Sequence, residues 1–536
     1  MKSTVEKNTK NKFGQYFTPK LIANFMIEMA HISQKSKILE PSCGEGVFLE
    51  LIQKKGFNNL IAFEIDKELA QTFDCVRYES FVSAKIDEKF DLIIGNPPYI
   101  RWKNLENELK KELYINPIWN KYFNSLCDYL YIFILKSIEL LNENGQLIFI
   151  CPEYWMNTTH SISLRNYMVQ NGYFEYIYHF NETPIFDKVT VSALIFKFIK
   201  TKDTKNKKDK IKVSKFYTNK KLTDEILFKL KNKIQFKDVE FLNVSQFKLN
   251  ERWLLQSDEV KQELQTLETN CLKKNQNTLL NLFDEDKQKI HTIGDFCDIG
   301  NGLVSGLDKA FQVNDHALNE SELFATINVV KAKDLKPFLI DSITKYIYIK
   351  EGLEEETFKA NYPNFYNHFQ KYKSDLNKRY QYNKNINYWE WVFLRNFNLF
   401  KKEEKRIFVP CKERISNKNY FRFALIDKDI FPTQDVTAIF KKTNTRESIE
   451  YILAYLNNPI VFDWLKCNGI MKGNIVEFSE KPISSIPFRV VNWAIIKEVE
   501  LHSLISMQTK KYIQNQDKSL LDLINQSFNT LFSIKR

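Results

Sequence analysis

Up to about residue 200, short apolar runs alternate with amphipathic stretches. Near-continuous apolar runs at 37–41 (KILEP), 60–65 (LIAFEI), 90–94 (FDLII), 145–151 (GQLIFIC), 174–180 (FEYIYHF) and 190–198 (TVSALIFKF) predict strands. Segments 19–32, 46–55, 67–73, 128–143 and 161–171 carry helical periodicity. Strands apolar on both faces and alternating with helices imply a doubly wound, mostly parallel α/β sheet covered on both sides. Ligands of such sheets sit beyond the carboxyl ends of the strands, where Glu40 and Asn96 fall. The charged stretch KTKDTKNKKDKIK (200–212) reads as a solvated loop, because like charges repel and nothing apolar anchors them. A mixed helix-and-strand region follows, so the expected organisation is an α/β domain over 1–240 and an α+β domain over 241–536.

Two turns interrupt this pattern. In GNPPYIRW (95–102) neither proline can donate to a β-ladder and each fixes φ, so pairing must stop at Asn96 and the chain must leave the sheet rigidly. In ILEPSCGEGVFLELI (38–52) a strand, a turn with Gly44 and Gly46, and a helix follow one another, which lets backbone approach a ligand and offers free N–H groups. The turn lacks the third glycine of a dinucleotide fingerprint and the Gly-Lys-Ser/Thr of a P-loop, so a nucleotide-like ligand without a pyrophosphate fits better. Glu64 lies twenty residues beyond Gly44, at the end of the next strand, where an acid can accept from both hydroxyls of a ribose.

Composition narrows the class. The chain of 536 residues carries eight scattered cysteines with no CxxC pair and seven histidines that do not cluster near them, which points to reduced thiols in a cytoplasmic protein and away from a metal site. No apolar stretch long enough to span a bilayer escapes interruption by charge, Lys136 breaking the longest, so no membrane role is expected. The first 200 residues hold 23 basic and 23 acidic side chains, and residues 201–536 hold 55 and 43. A neutral half joined to a basic half suggests chemistry in one and a polyanion at the other. Residues 371–422 concentrate 14 Lys and Arg with 12 aromatics and five acids, a composition suited to phosphate neutralisation and base-edge contacts, although core packing should claim about half of those aromatics. The run EEK at 403–405 lacks a properly placed upstream Pro-Asp and reads as surface charge, not as part of a nuclease.

The order GQYFTP (14–19), glycine turn, FEID (63–66), ESF (79–81), GNPPY (95–99) and PIFDKVTVSALIF (184–196) resembles the gamma-class N6-adenine DNA methyltransferases of restriction-modification systems, of the TaqI-like kind. The resemblance covers residues 13–200 by motif and the rest by layout. It implies a Rossmann-like domain that binds S-adenosylmethionine, followed by a DNA-recognition domain. It further implies that Phe17 and Thr18 close over the cofactor, that Glu40, Ser42, Cys43, Gly44 and Gly46 surround its methionine part, that Glu64 takes the ribose hydroxyls, and that Ile65 lies against the adenine ring. Where the family has an Asp before the phenylalanine of ESF, this chain has Ser80, followed by Phe81; a serine hydroxyl can still accept from the cofactor's amino group.

The exocyclic amine of adenine is a poor nucleophile because its lone pair is delocalised. Asn96 Oδ1 and the Pro97 carbonyl can each accept one of its N–H groups and free that pair. Tyr99 offers a stacking face and, by the resemblance, Phe186 takes the other side of a base extruded from the duplex. The partners implied are double-stranded DNA and a separate cognate restriction endonuclease, with the enzyme acting as a monomer. Methylation of an RNA adenine or a protein glutamine amide, and a catalytically silent cofactor-sensing DNA binder, remain alternatives; the basic C-terminal half disfavours the glutamine enzymes, and intact Asn96 and Tyr99 disfavour the silent one.

Overall fold

The computed structural model describes residues 16–533 apart from residues 71, 187–190, 204–206, 217, 274–289, 315–317, 382–384, 416–417 and 473–474. Parts of the GQYFTP and PIFDKV motifs lie outside the described residues; every candidate site residue lies within them. The chain forms two compact units, Met1–Asp258 and Glu259–Arg536.

The first unit is built on nine strands: β1 (Ile38–Glu40), β2 (Leu60–Phe63), β3 (Val76–Arg77), β4 (Phe90–Gly95), β5 (Leu141–Pro152), β6 (Gly172–His179), β7 (Ala193–Lys200), β8 (Lys210–Phe216) and β9 (Val239–Ser245). They lie in the order β3-β2-β1-β4-β5-β7-β6-β8-β9. Pairing is parallel from β3 to β5; β7 is antiparallel to both its neighbours, β6 and β8 are parallel, and β9 is antiparallel at the edge. Alternation along each strand divides the core in two. Leu39, Ile93, Leu147 and Phe149 face one side, while Ile38, Leu92, Ile94, Ile148 and Ile150 face the other.

Helices α1 (Lys20–Ile27), α2 (Val47–Lys54), α3 (Asn107–Ile115), α4 (Pro117–Tyr122), α5 (Leu130–Leu140), α6 (Ile162–Asn171) and α7 (Asp224–Lys231) cover both faces. The buried residues of α1, α2 and α7 join the second side, and those of α3 to α6 the first. This is the doubly wound α/β sheet that the pattern predicts.

Three expectations are corrected. The helix expected over 67–73 does not form among the described residues of that segment, which are turns and bends with Ala70 at φ 49°, although α2 and α5 form. The end of the charged stretch 200–212 is the start of β8, because Ile211 and Val213 alternate into the core while Lys210 pairs with Asp258 and Lys212 donates to the Tyr176 hydroxyl. The domain boundary falls after Asp258, not at 240, since a cut at 240 would sever β9, which pairs with β8 along its whole length.

The second unit is mixed α+β. An antiparallel sheet joins 297–301, 436–441, 406–410 and 424–426; a second four-stranded sheet joins 312–313, 344–347, 326–330 and 430–432; a three-stranded sheet and the helices Ile496–Asn515 and Ser519–Phe532 complete it. Half the aromatics of 371–422 are core: Tyr388, Trp389, Trp391, Phe400, Phe408 and Phe421 are buried. So are several of its cations in effect. Arg406 donates to the carbonyls of Phe400, Lys402 and Glu404, Arg379 to those of Ser305, Asn387, Tyr388 and Glu390, and Arg422 to Glu413 and two carbonyls. Lys371, Lys378, Lys401 and Lys412 stay exposed. No helix among the described residues is long and apolar enough to cross a membrane.

Candidate active site

A pocket opens at the carboxyl ends of β1 to β4. Its wall is made by the segment at the end of each strand: Glu40 to Gly44 at β1, Glu64 and Ile65 at β2, Glu79 to Phe81 at β3, and Asn96 and Pro98 at β4. Phe17 and Thr18 come in from the segment before α1.

The β1–α2 turn needs its glycines. Gly44 and Gly46 sit at φ 55° and 84°, and a Cβ at Gly46 would stand 2.4 Å from the Phe73 ring. Gly46 thus shapes the turn as the N-cap of α2 and does not line the pocket. Glu64 locks the turn from across the sheet: Oε2 accepts from the Gly44 N–H at 2.8 Å and Oε1 from Asp66 N–H at 2.9 Å. Each oxygen keeps a lone pair for a ligand hydroxyl.

Glu40 is buried, and its Oε2 meets no donor. Burial, reinforced by the charge of Glu64, raises its carboxyl well above the ordinary range. A buried, unpaired acidic oxygen in a pocket wall is the atom a cationic ligand group would satisfy. The thiol of Cys43, beside it, is pushed far up by burial and by both carboxylates.

The floor under Ser80 and Phe81 is fixed by Lys136 on α5. Its ammonium donates to the carbonyls of Phe81, Val82 and Ala84 at 2.6, 3.0 and 2.7 Å and lies 5.0 Å from the Phe81 ring centre. Ser80 donates to Glu112 of α3 and accepts from the Val82 N–H, so most of its hydroxyl is engaged within the protein.

Beside the pocket stands the Asn-Pro-Pro-Tyr turn. Asn96 Nδ2 donates to the Tyr16 carbonyl at 2.6 Å, and Asn96 Oδ1 accepts from the Tyr99 hydroxyl at 2.5 Å. Ser42 Oγ donates to the Asn96 carbonyl at 3.2 Å, tying the two turns together. Burial raises the Tyr99 phenol, so it remains a proton donor. The structure therefore gathers Phe17, Thr18, Glu40, Ser42, Cys43, Gly44, Glu64, Ile65, Ser80, Phe81 and Asn96 around one pocket, with Pro97, Tyr99 and Phe186 outside its wall. Phe186 is buried and reaches the Tyr99 side through Tyr16, whose ring lies 6.0 Å from that of Phe186. Sequence reasoning missed Tyr16 and the lining residues Glu45, Leu109, Tyr129 and Phe133. Tyr16 was detectable, adjoining Phe17 within GQYFTP; the others bear no local signal. Among the described residues no group of three His, Cys, Asp or Glu side chains could hold a metal ion.

A doubly wound sheet with a ligand pocket at its strand ends and an Asn-Pro-Pro-Tyr turn at the pocket edge defines a class shared with known proteins. Residues 22–186 match the Eco57I restriction-modification methylase family. The chain is 44% identical over 531 residues to the type II methyltransferase M.HindII of Haemophilus influenzae (strain Rd), covering 98% of this chain and 99% of that one. It is 43% identical over 533 residues to M.HincII of Haemophilus influenzae, with the same coverage. Its fold resembles the type IIL restriction-modification enzyme MmeI, solved in complex with DNA, with a TM-score of 0.55 over 96% of this chain and 73% of that one at 11% identity. The chain belongs to the type II DNA methyltransferases of restriction-modification systems.

Proposed function

We propose that this DNA methyltransferase moves a methyl group from S-adenosylmethionine to N6 of an adenine extruded from duplex DNA at a specific site. The observation that carries the reading is the two-ended fixing of Asn96: with Nδ2 committed to the Tyr16 carbonyl, the carboxamide presents its oxygen as an acceptor at the end of β4. An amine that donates to Asn96 Oδ1 and to the Pro97 carbonyl is drawn toward tetrahedral geometry, and the two prolines hold both acceptors still. Tyr99 and Phe186 supply ring faces whose stacking, about 1–3 kcal/mol per base, offsets part of the cost of extrusion.

The pocket suits the cofactor. The unpaired Glu40 oxygen matches an ammonium, the free lone pairs of Glu64 match ribose hydroxyls, and Phe17, Ile65 and Phe81 give apolar walls for a base. Thr18, Ser42, Cys43 and Gly44 would complete the enclosure. The cofactor's sulfonium supplies an already activated methyl group, so the protein need only position it. Methylation at a cytosine carbon would require a thiolate. The pocket's cysteine, Cys43, is held strongly protonated and Cys151 is pushed up to about 12, which favours an amine target.

Residues 1–258 would carry the chemistry and 259–536 the reading of DNA, with the chain acting as a monomer beside a separate endonuclease of the same site. The test is to incubate the protein with methyl-labelled S-adenosylmethionine and duplex DNA, digest to nucleosides and separate them. Label in N6-methyldeoxyadenosine is expected. Label in a methylcytosine, or only in RNA or protein added in parallel, would overturn the reading.

A further inference from the structure

Tyr16 lies where the proposed reaction needs its substrate. Its ring stacks on Tyr99, with centroids 5.1 Å apart and planes 13° from parallel, and lies 6.0 Å and 50° from the ring of Phe186. These are the two rings that the proposed function gives to the extruded base, and the inference rests on that reading. The other feature a base would use is also satisfied internally, since the Tyr99 hydroxyl already donates to Asn96 Oδ1. The main chain of Tyr16 meanwhile holds the amide end of Asn96.

We propose that the Tyr16 side chain is a placeholder for the target base: its ring fills the slot between Tyr99 and Phe186 in the absence of DNA and swings out when the base enters, while its carbonyl stays on Asn96 Nδ2. An empty slot between two aromatic rings would take in water or collapse, and a side chain of similar area and flatness keeps the rings apart at low cost. Each entering base exchanges one stack for another, so only a base that also donates to Asn96 gains by the exchange. Tyr16 thereby contributes to selectivity. The neighbouring residues link this exchange to the cofactor, because the Phe17 ring sits against Gly44 and Thr18 lines the pocket.

The test uses the full chain and the site mapped from DNA that the wild-type protein has methylated; failure to label adenine at that first stage would overturn the proposed function and this inference with it. Affinities are then measured for two duplexes of that site, one with the target adenine opposite a mismatch and one abasic at the target. Tyr16→Ala should bind the mismatched duplex about two- to tenfold more tightly than wild type does, the range set by one aromatic stack. It should bind the abasic duplex unchanged, because no base competes there. Tyr16→Phe, which keeps the stack, should match wild type on both and serves as the folding control. Weaker binding of the mismatched duplex by Tyr16→Ala would make Tyr16 a wall that packs on the bound base, and equal change on both duplexes would make it purely structural; either result overturns the proposal while leaving the proposed function standing.

Discussion

The Tyr99 hydroxyl donates to Asn96 Oδ1 at 2.5 Å, three residues back along the same turn. The acceptor on which the proposed chemistry depends is thus oriented before any base arrives. Asn96→Ala should keep cofactor and DNA binding but lose methyl transfer by at least about 100-fold, the scale of one well-placed transition-state acceptor. Tyr99→Phe keeps the ring and removes only the donor, and since the Tyr16 carbonyl still holds the amide, turnover should stay within about tenfold of wild type. Single-turnover rates decide: equal damage from the two substitutions would show that the hydroxyl takes part in the chemistry.

Glu40 should make cofactor binding depend on pH. Its carboxyl titrates well above the ordinary range because it is buried and faces Glu64. A cationic ligand group favours the ionised form, so binding must expel a proton wherever Glu40 holds one. Affinity for S-adenosylmethionine should then be flat above the raised pKa and fall as pH drops through it. Calorimetry in buffers of different ionisation enthalpy should register proton release in that lower range, and Glu40→Gln should abolish it along with much of the affinity.

Lys136→Met would strand the carbonyls of Phe81, Val82 and Ala84, at a cost of about 3 kcal/mol or more. It should also weaken cofactor binding by loosening Phe81. Burial pulls the Lys136 ammonium down from 10.5 to about 8. Between those values the unfolded chain holds more protons at this site than the folded one, so the wild-type contribution from Lys136 grows as pH rises from 8 to 10.5. Urea unfolding at pH 7.5 and pH 9.5 should therefore show a larger gap between wild type and Lys136→Met at the higher pH.

In the second unit, cations of similar sequence context should behave oppositely. Arg406 is fully buried and bonded to backbone carbonyls, so Arg406→Ala should lower the melting temperature of the protein. Lys378 and Lys412 are exposed, and Lys378→Ala or Lys412→Ala should leave melting unchanged. If they contact phosphates, each should flatten the slope of log affinity against log salt by about 0.9. Unchanged slopes in both would remove these two lysines from the DNA contact.

The sequence by itself determined the elements that local chemistry dictates. Apolar runs gave β1, β2, β4, β5, β6 and β7; the glycine turn announced backbone conformations that only glycine adopts; and two prolines fixed where β4 must end. Glu40, Glu64 and Asn96 could be placed together because strand ends in a doubly wound sheet converge whatever the intervening chain does. The tertiary structure alone decided what depends on partners distant in the chain. Tyr16 reaches a turn 80 residues away, and Lys136, which in the sequence merely interrupts an apolar run, becomes the anchor of the Phe81 segment. Segment 371–422 shows the limit most plainly. An arginine bonded to carbonyls inside a core and an arginine waiting for phosphate are the same residue in the same composition. Which one it is depends on the carbonyls that packing leaves unpaired nearby, and no pattern of residue types along the chain records them.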